Sequence, residues 1–379
     1  MPELTTYAQV DLDALGRNLT AIRNHTSTKV LLPVKANAYG HGLVPTGKAA
    51  ADNGWADWLG VANVSEGVAL REGGVTIPIL KLSGVLPWEA EEAVAHDLRL
   101  AITDAEGVRS AQAAAARLGV TAHLHLKIDT GMRRIGVYPQ DAADMAALIE
   151  SFPDVELEGM FTHLAVADVP VQDEFTNLQL DRFEQAVAAV TERIGRRPAV
   201  IHASNSGAVL AHPRARWDMV RPGIIAYGYY PDATTPKTFP IEPVMSIVTH
   251  LTYVKTIEPG DTVGYGRTWT APRQTRLGTF PVGYGDGYER LLSNKINVII
   301  DGRAYPQVGR ICMDQAMVDL GPDSTLAPGQ KVTLMGREGD VAVTADDMAN
   351  VLGTISYEVL AGLAHRVPRV YVGGGVDAG

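Results

Sequence analysis

The segment KVLLPVK, residues Lys29–Lys35, sets the pattern from which the fold can be worked out. It is a short apolar run that ends in a charged residue, and a polar break separates it from a stretch with helical spacing. The same succession of run, break and helical stretch recurs up to residue 223. The eight runs are Lys29–Lys35, Asp57–Asn63, Ile77–Ser83, Leu98–Thr103, Thr121–Asp129, Glu156–His163, Ala199–Ser204 and Trp217–Gly223. Eight strands that alternate with helices predict an α/β fold in which parallel units close into a TIM (β/α)8 barrel.

The helical stretches between these runs are rich in Ala, Leu, Glu and Arg. They include Glu89–His96, Glu106–Leu118, Asp141–Ser151 and Leu178–Ile194. A doubly wound open sheet is the alternative arrangement of the same units. No Gly-x-Gly-x-x-Gly follows the first strand, which weakens a dinucleotide-binding interpretation.

The pattern changes after Pro240, where strand-like runs alternate with turn signals such as EPGD and GYGDG. The predicted strands are Val244–Ile257, Thr275–Pro281, Ile296–Ile300, Met317–Leu320, Lys331–Met335 and Arg369–Val372, and the predicted helices are Asp346–Leu352 and Tyr357–Leu363. We therefore predict a barrel domain over residues 1–240 and a C-terminal mostly-β domain over residues 241–379. Roughly the first 12 residues are a candidate additional segment of the β domain.

Composition excludes several classes of function. The 379 residues carry 33 Lys and Arg against 43 Asp and Glu, a net charge of −10, which argues against nucleic acid as a partner. The sequence contains no run of about 18 apolar residues, so no membrane span is predicted. Cys312 is the single cysteine, so an intramolecular disulfide is impossible. The N-terminal sequence MPELTTYAQVDLDALGRN does not read as a secretion signal, and we expect a cytoplasmic enzyme.

Polar groups concentrate at the ends of the predicted barrel strands. Alternation along Thr121–Asp129 turns one face, with His123, His125, Lys127 and Asp129, toward the barrel interior. We interpret the two histidines as hydrogen-bonded core residues. Active sites of TIM barrels lie where the strands end. Polar strand ends are Lys35, Lys127 with Asp129, His163, Ser204 with Asn205, and Arg221. Their convergence on one mouth predicts an active site.

The motif VKANAYGHG (Val34–Gly42) resembles the alanine racemases, which combine a TIM barrel with a β domain and bind pyridoxal 5'-phosphate (PLP). Further matches follow in family order: KIDTGMRRIG (Lys127–Gly136), FTHLA (Phe161–Ala165), HASNSGA (His202–Ala208), VRPGIIAYG (Val220–Gly228), VGYGRTW (Val263–Trp269), PVGYGDGY (Pro281–Tyr288), GRICMDQ (Gly309–Gln315) and ISYEVL (Ile355–Leu360). The resemblance covers nearly the whole chain. It implies the interconversion of L-alanine and D-alanine, with D-alanine supplied to cell-wall peptidoglycan.

The resemblance also implies two catalytic bases. Lys35 carries PLP as a Schiff base and acts on D-alanine, whereas Tyr265 of the partner subunit acts on L-alanine. The implied assembly is a homodimer with active sites at the subunit interface. Cofactor contacts are implied for Lys35, Tyr39, His163, Asn205, Ser206, Arg221, Gly223, Ile224 and Tyr357. Arg221 would face the pyridine nitrogen, and because arginine keeps its proton, that nitrogen would stay unprotonated. Proton return would then be favoured over transamination. His163 matches the residue that orients this arginine.

Substrate contacts follow from the same resemblance. Arg134 and the backbone N–H of Met313 match groups that hold the substrate carboxylate, and Asp314 is a candidate orienting or entrance residue. Lys127 matches a lysine that many members carry as a carbamate, an anion that can pair with Arg134. Arg133 stands where the family commonly has glycine, and a turn that requires positive φ would strain it.

Four alternatives remain open at this point. A racemase of broader specificity, acting on serine or other amino acids, would share these motifs. A non-catalytic PLP-homeostasis protein would share the barrel but lack the β domain and Tyr265. A PLP decarboxylase of related fold often has an acid where this chain has Arg221. A metal-dependent barrel hydrolase would leave VKANAYG unexplained, and we predict no metal site.

Overall fold

The computed structural model describes residues 4–375, which divide into two compact units. One unit comprises residues 14–38 and 42–242. The other joins the N-terminal segment up to Asp13, including β1 (Tyr7–Asp11), with Tyr39–His41 and the chain from Pro243 onward. Within the described residues, no helix is long and apolar enough to span a membrane.

Eight parallel strands form the sheet of the first unit. Their bounds are β2 (Lys29–Pro33), β3 (Trp58–Val61), β4 (Ile79–Gly84), β5 (Leu98–Ile102), β6 (Ala122–Lys127), β7 (Val155–Phe161), β8 (Val200–His202) and β9 (Met219–Val220). They are hydrogen-bonded in the order β8-β7-β6-β5-β4-β3-β2-β9. Backbone bonds from Asp218 to Ile201 (3.0 Å) and from Arg221 to Ser204 (2.9 Å) link the two ends, so the barrel is nearly closed. The predicted TIM barrel is confirmed, and each predicted run overlaps one observed strand.

Helices follow the strands around this barrel. They are α1 (Leu12–Thr26), α2 (Lys35–Tyr39), α3 (Leu43–Asp52), α4 (Val64–Glu72), α5 (Ala90–Ala95), α6 (Ala105–Leu118), α7 (Ala142–Glu150), α8 (Asp173–Ile194) and α9 (Ser206–Ala211). Local sequence explains where several begin, because the side chains of Asn63 and Asp104 cap the backbone N–H groups that open α4 and α6. An interior cluster of Leu31, Trp58, Leu80, Val200 and Met219 fills the space between the strands.

The second unit is built mainly from antiparallel strands. Its strands after β1 are β10 (Met245–His250), β11 (Tyr253–Ile257), β12 (Thr262–Val263), β13 (Trp269–Thr270), β14 (Thr275–Phe280), β15 (Asn297–Ile300), β16 (Arg303–Val308), β17 (Ala316–Gly321), β18 (Lys331–Glu338), β19 (Val341–Val343) and β20 (Arg369–Val372); its helices are α10 (Ala345–Leu352) and α11 (Ser356–Ala361). The main sheet has the order β11-β14-β17-β16-β15-β18-β10-β1-β20. The predicted mostly-β character of this part is confirmed.

Two details of this sheet differ from the sequence prediction. The run Val244–Ile257 is two strands, β10 and β11, rather than one. The strand β16 was not predicted, because Pro306 within it is typical of a strand edge or a break. N-terminal strand β1 pairs antiparallel with β10 and parallel with β20.

Candidate active site

The chain leaves β2 through a left-handed turn that begins immediately after Lys35. Residues Ala36–Tyr39 all have φ between 52 and 55°. This conformation costs about 1–2 kcal/mol per residue for L-amino acids. Asn37 stabilises the turn, since its carbonyl accepts from the N–H of Gly42 (2.9 Å) and its side chain accepts from the N–H of Leu43 (2.8 Å). Strain of this size is retained at sites whose geometry must be fixed, which singles out this segment.

Glu66 supports the same turn from the neighbouring strand-helix connection. Its carboxylate accepts from the N–H of Ala36 (2.7 Å) and from the N–H of Ala62 (2.8 Å). Burial, and after it the charge of Arg134, lowers the pKa of Lys35, with Glu66 acting in the opposite sense. An amine with a lowered pKa is neutral more of the time and is therefore a better nucleophile and base. The role of Glu66 is not visible in the sequence, because an acid in the first turn of a helix is ordinarily explained by the helix dipole.

Arg221 is the most tightly held cation of the barrel mouth, with 5% of its surface exposed. Its Nη2 donates to the carbonyls of Thr162 (2.7 Å) and Ala203 (3.1 Å), and its Nη1 donates to Nδ1 of His202 (3.0 Å). Nη2 also lies 3.4 Å from Nδ1 of His163. Burial, followed by the charge of Arg134, lowers the pKa of Arg221 to about 9, so it is still a cation at neutral pH.

Lys127 lies at the same mouth and is 4% exposed. Its Nζ is 4.3 Å from the centroid of the Phe161 ring. Burial is the main cause that places the pKa of Lys127 well below its usual range, and the charges of Arg221 and Arg134 add to it. Lys127 is therefore a buried amine whose surroundings favour its neutral form.

Asn205 caps α9, and Ser206 is the first residue of this helix. The side chain of Asn205 accepts from the N–H of Ala208 (3.1 Å) and donates to the carbonyl of Leu164 (2.9 Å), so both of its ends are used in shaping the loop. Oγ of Ser206 accepts from the N–H of Gly223 at 2.9 Å. Ile224 begins the short helical turn Ile224–Tyr227 next to this contact.

The segment from residue 129 to residue 138 carries the two adjacent arginines. Arg133 has a φ of +57°, so a non-glycine residue does occupy a left-handed position here. Its N–H donates to Oδ1 of Asp129 (3.0 Å), its guanidinium lies 3.7 Å from Oδ2 of the same residue, and it stands 5.0 Å from the ring of Tyr138. Arg134 is exposed and acts electrostatically on Lys35, Lys127 and Arg221.

The second unit carries the other residues that the sequence singled out. The rings of Tyr39 and Tyr357 lie 6.0 Å apart, and burial raises the pKa of Tyr39 to about 12, which keeps its hydroxyl protonated. Tyr265 is 73% exposed on a turn between Gly264 (φ +70°) and Gly266 (φ +71°). Glycine on both sides of Tyr265 allows the chain to turn sharply there, and Arg267 (φ +51°) ends the same turn in a left-handed conformation.

Met313 and Asp314 form a second exposed turn of that unit. Met313 is 54% exposed, and its carbonyl accepts from the N–H of Gly285 at 2.9 Å. The guanidinium of Arg366 donates to Asp314 (2.7 Å) and to Asp286 (2.7 Å). Asp314 therefore belongs to an ion-pair network that joins two turns.

The structure thus brings a group of basic side chains to one mouth of the barrel. The group consists of Lys35, Lys127, Arg134, His163 and Arg221. No cluster of three or more His, Cys, Asp or Glu is placed to hold a metal ion within residues 4–375. An amine of lowered pKa beside fixed cations suits an anionic ligand that carries an aldehyde or ketone.

Comparison with known proteins agrees with this geometry. The family model "Alanine racemase, N-terminal domain" matches residues 10–231, and "Alanine racemase, C-terminal domain" matches residues 244–371. Alanine racemase of Cutibacterium acnes is 46% identical over 97% of this chain and 98% of that protein. A solved alanine racemase of Clostridium difficile 630 superposes with a TM-score of 0.91 at 36% identity, covering 98% of this chain and 97% of the other. A histidine racemase of Leuconostoc mesenteroides has a TM-score of 0.90 at 28% identity, covering 98% and 99%. This chain belongs to the alanine racemase family.

Proposed function

We propose that this protein interconverts L-alanine and D-alanine with PLP as its cofactor. The observation that carries the proposal is Lys35, a lysine of lowered pKa at the start of a strained turn, in a chain of the alanine racemase family. Family membership directs us to a racemase, and the basic groups of the barrel mouth match the phosphate and the carboxylate that such a reaction must hold.

The residues present fit PLP. Lys35, whose lowered pKa favours the neutral amine, would take the aldehyde carbon, and Arg221, fixed and cationic, would donate to the ring nitrogen. The phosphate is assigned to Ser206, Gly223 and Ile224, and the hydroxyls of Tyr39 and Tyr357 are further candidate donors. When bound, PLP supplies an electron sink that acidifies the α-proton of the amino acid. In this arrangement Asn205 positions α9, and His163 orients Arg221.

Racemisation requires one base on each face of the α-carbon. Lys35 would exchange the proton of D-alanine and Tyr265 that of L-alanine. A side chain 73% exposed on its own unit must be covered to act on a buried substrate. We therefore assign Tyr265 to the active site of a partner copy, in a homodimer whose sites lie at the subunit interface. Met313, on the other exposed turn, would donate its N–H to the substrate carboxylate in the same way.

Arg134 would bind the same carboxylate and needs an anion to hold its side chain. Lys127 can supply one as a carbamate: its neutral amine attacks CO2, a C–N bond forms, and the proton lost from nitrogen goes to water. The product is an anion beside Arg221 and Arg134 in place of a buried neutral amine. Arg133 lies against Asp129 and Tyr138, so it does not need to compete for this carbamate.

Alanine is the favoured substrate because relatives of 37–46% identity over nearly their whole length are named alanine racemases. The histidine racemase, at 28% identity, shows that the architecture alone does not settle the side chain accepted. The match to the C-terminal domain counts against a protein that only stores PLP. We place the activity in the cytoplasm, since a single cysteine is typical of a reducing compartment, and assign its D-alanine to peptidoglycan synthesis.

Circular dichroism tests this proposal directly. The PLP-loaded protein is given L-alanine, L-serine or L-histidine in separate samples, and the optical signal of each amino acid is followed. We expect the signal of L-alanine to decay to zero fastest, because racemisation ends in an equal mixture of the two enantiomers. A sample of D-alanine should decay to the same final signal. A signal of L-alanine that persists while L-serine or L-histidine decays would overturn the substrate assignment.

A further inference from the structure

A continuous chain of hydrogen bonds runs from Arg221 into the barrel. Nη1 of Arg221 contacts Nδ1 of His202 (3.0 Å), and Nε2 of His202 contacts Nδ1 of His125 (2.9 Å). Nε2 of His125 contacts Oε2 of Glu158 at 3.1 Å. Both histidines are fully buried, and the Glu158 side chain is 16% exposed. The chain thus connects the cation at the mouth with a carboxylate deeper along the strands.

The donor at one end of this chain, Arg221, and the acceptor at the other, Glu158, allow only one direction of hydrogen bonding. Burial is the largest cause that lowers the pKa of His125 and, more strongly, that of His202, so each ring is neutral and carries one N–H. Arginine can only donate, so Nδ1 of His202 must accept and its Nε2 must carry the proton. A carboxylate can only accept, so Nε2 of His125 must donate to Glu158. Burial favours the protonated form of Glu158, but the hydrogen bond from His125 lowers its pKa, so the carboxylate stays ionised.

The strands are shaped to admit this chain. Pairing between β6 and β7 shifts between Leu124 and His125, because Leu124 faces Leu157 whereas His125 faces Gly159. Glu158 is therefore the extra residue of a β-bulge, a feature that redirects a side chain. A Cβ at position 159 would lie 2.5 Å from the ring of His125, so only glycine allows the ring to lie there. Both departures from regular sheet structure serve the same contact.

We propose that Glu158 is a positioning residue for Arg221. By accepting from His125, it sets the tautomers of both histidines, so that His202 presents a lone pair to Arg221 and holds its guanidinium in one orientation. Without that acceptor, the opposite tautomers become accessible, and an N–H of His202 would face an N–H of Arg221. Because Arg221 is assigned to the ring nitrogen of PLP, this inference rests on the proposed function for its catalytic consequence only.

Two substitutions at Glu158 and one matched control test the proposal. Glu158→Leu removes the acceptor, whereas Glu158→Gln keeps an oxygen that can accept from His125. Glu156→Leu is the control. Glu156 lies on the same strand, and its Oε2 is 3.2 Å from Nδ1 of His123, a histidine that is not part of the hydrogen-bonded chain. We expect kcat for alanine to fall by about 100-fold in Glu158→Leu and by about 10-fold in Glu158→Gln, with KM within about twofold. The control is expected to stay within about twofold of the unchanged protein.

The structural readout is 15N NMR of the holoenzyme with labelled histidine. We expect His125 and His202 to carry their protons on Nε2 in the unchanged protein and in the control, and to shift toward Nδ1 in Glu158→Leu. Glu158→Gln should show a smaller shift in the same direction, because its amide can turn either its oxygen or its NH2 group toward His125. If Glu158→Leu fails to fold, the kcat of Glu158→Gln and the Nδ1 chemical shift of His202 in that variant decide. Unchanged tautomers together with a kcat equal to that of the control would overturn the proposal. Because the tautomers are read without turnover, a protein that failed to racemise alanine would refute the proposed function and leave this result standing.

Discussion

The barrel mouth and the exposed turns of the β unit hold their proposed catalytic groups in opposite ways. At the mouth, Arg221 is 5% exposed and hydrogen-bonded on several sides, and Lys35 precedes a strained turn. On the β unit, Tyr265 is 73% exposed and Met313 is 54% exposed. The groups at the barrel mouth are enclosed by their own unit, whereas Tyr265 and Met313 are exposed on theirs. In the proposed function, the first region would hold the cofactor and the second would complete a site in another copy.

Loss of the barrel lysine is expected to have the largest effect. Lys35→Ala removes the amine that takes the aldehyde of PLP and one of the two bases, so kcat should fall by about 10³-fold or more. The absorbance band of the lysine-bound cofactor should disappear from the spectrum. Lys48→Ala is the matched control, because Lys48 is exposed and paired with Asp52 on α3. A Lys35→Ala protein that keeps the band would refute the central assignment of the mouth.

Loss of the exposed tyrosine is expected to be smaller and directional. Tyr265→Phe removes only the hydroxyl, and exchange of the α-proton of L-alanine with deuterated solvent should slow by about 100-fold, well beyond the effect on D-alanine. Deuterium incorporation followed by NMR measures both directions. Tyr253→Phe, at another exposed tyrosine of the same unit, is the control and should behave as the unchanged protein.

Mixing these two variants sharpens the comparison of the regions. Co-refolded Lys35→Ala and Tyr265→Phe chains should regain activity, because a mixed dimer would contain one site with neither substitution. No recovery on mixing would place both bases in the same chain and contradict the arrangement proposed here. Equal loss in both directions of exchange would contradict the assignment of Tyr265 to L-alanine.

Within the barrel, two buried lysines have different surroundings. Lys81 is 2% exposed, but its Nζ lies 3.5 Å from Glu89, whereas Lys127 is surrounded by the charges of Arg221 and Arg134. We expect Lys127 alone to carry CO2, seen as an acid-labile adduct by intact-protein mass spectrometry. Lys127→Met should raise KM for alanine by about 10-fold, since Arg134 loses a charged partner. An adduct that survives in Lys127→Met, or that maps to Lys81, would contradict the carbamate assignment.

Most of the fold could be predicted from the sequence, because period and turn chemistry are local signals. The eight barrel strands and the mouth residues Lys35, Lys127, His163 and Arg221 follow from strand alternation and strand ends. The roles of these residues came from the resemblance to the alanine racemases and not from the pattern.

Features that depend on tertiary context could not be predicted. Ala36–Tyr39 contain no glycine, so the local sequence does not predict four left-handed residues in succession. The interpretation of His125 as a hydrogen-bonded core residue is confirmed, but alternation cannot show that a bulge at Glu158 gives it a charged partner. Glu66 likewise acts across a strand-helix connection, on the N–H groups of Ala36 and Ala62.

The smallest expected effect concerns how the two regions build turns with positive φ. The turn of Tyr265 has glycine on both sides of the tyrosine, at Gly264 and Gly266, and only its last residue, Arg267 (φ +51°), is a non-glycine residue with positive φ. The barrel turn places Arg133 at φ +57°. Arg133→Ala removes the side-chain contacts and keeps the backbone strain, and Arg133→Gly removes both. We expect the Gly variant to exceed the Ala variant in free energy of unfolding by about 1 kcal/mol, measured by urea denaturation. KM for alanine should change little in either, because the guanidinium of Arg133 lies toward Asp129 and Tyr138. An Ala variant as stable as the Gly variant would show that this turn tolerates a side chain without strain.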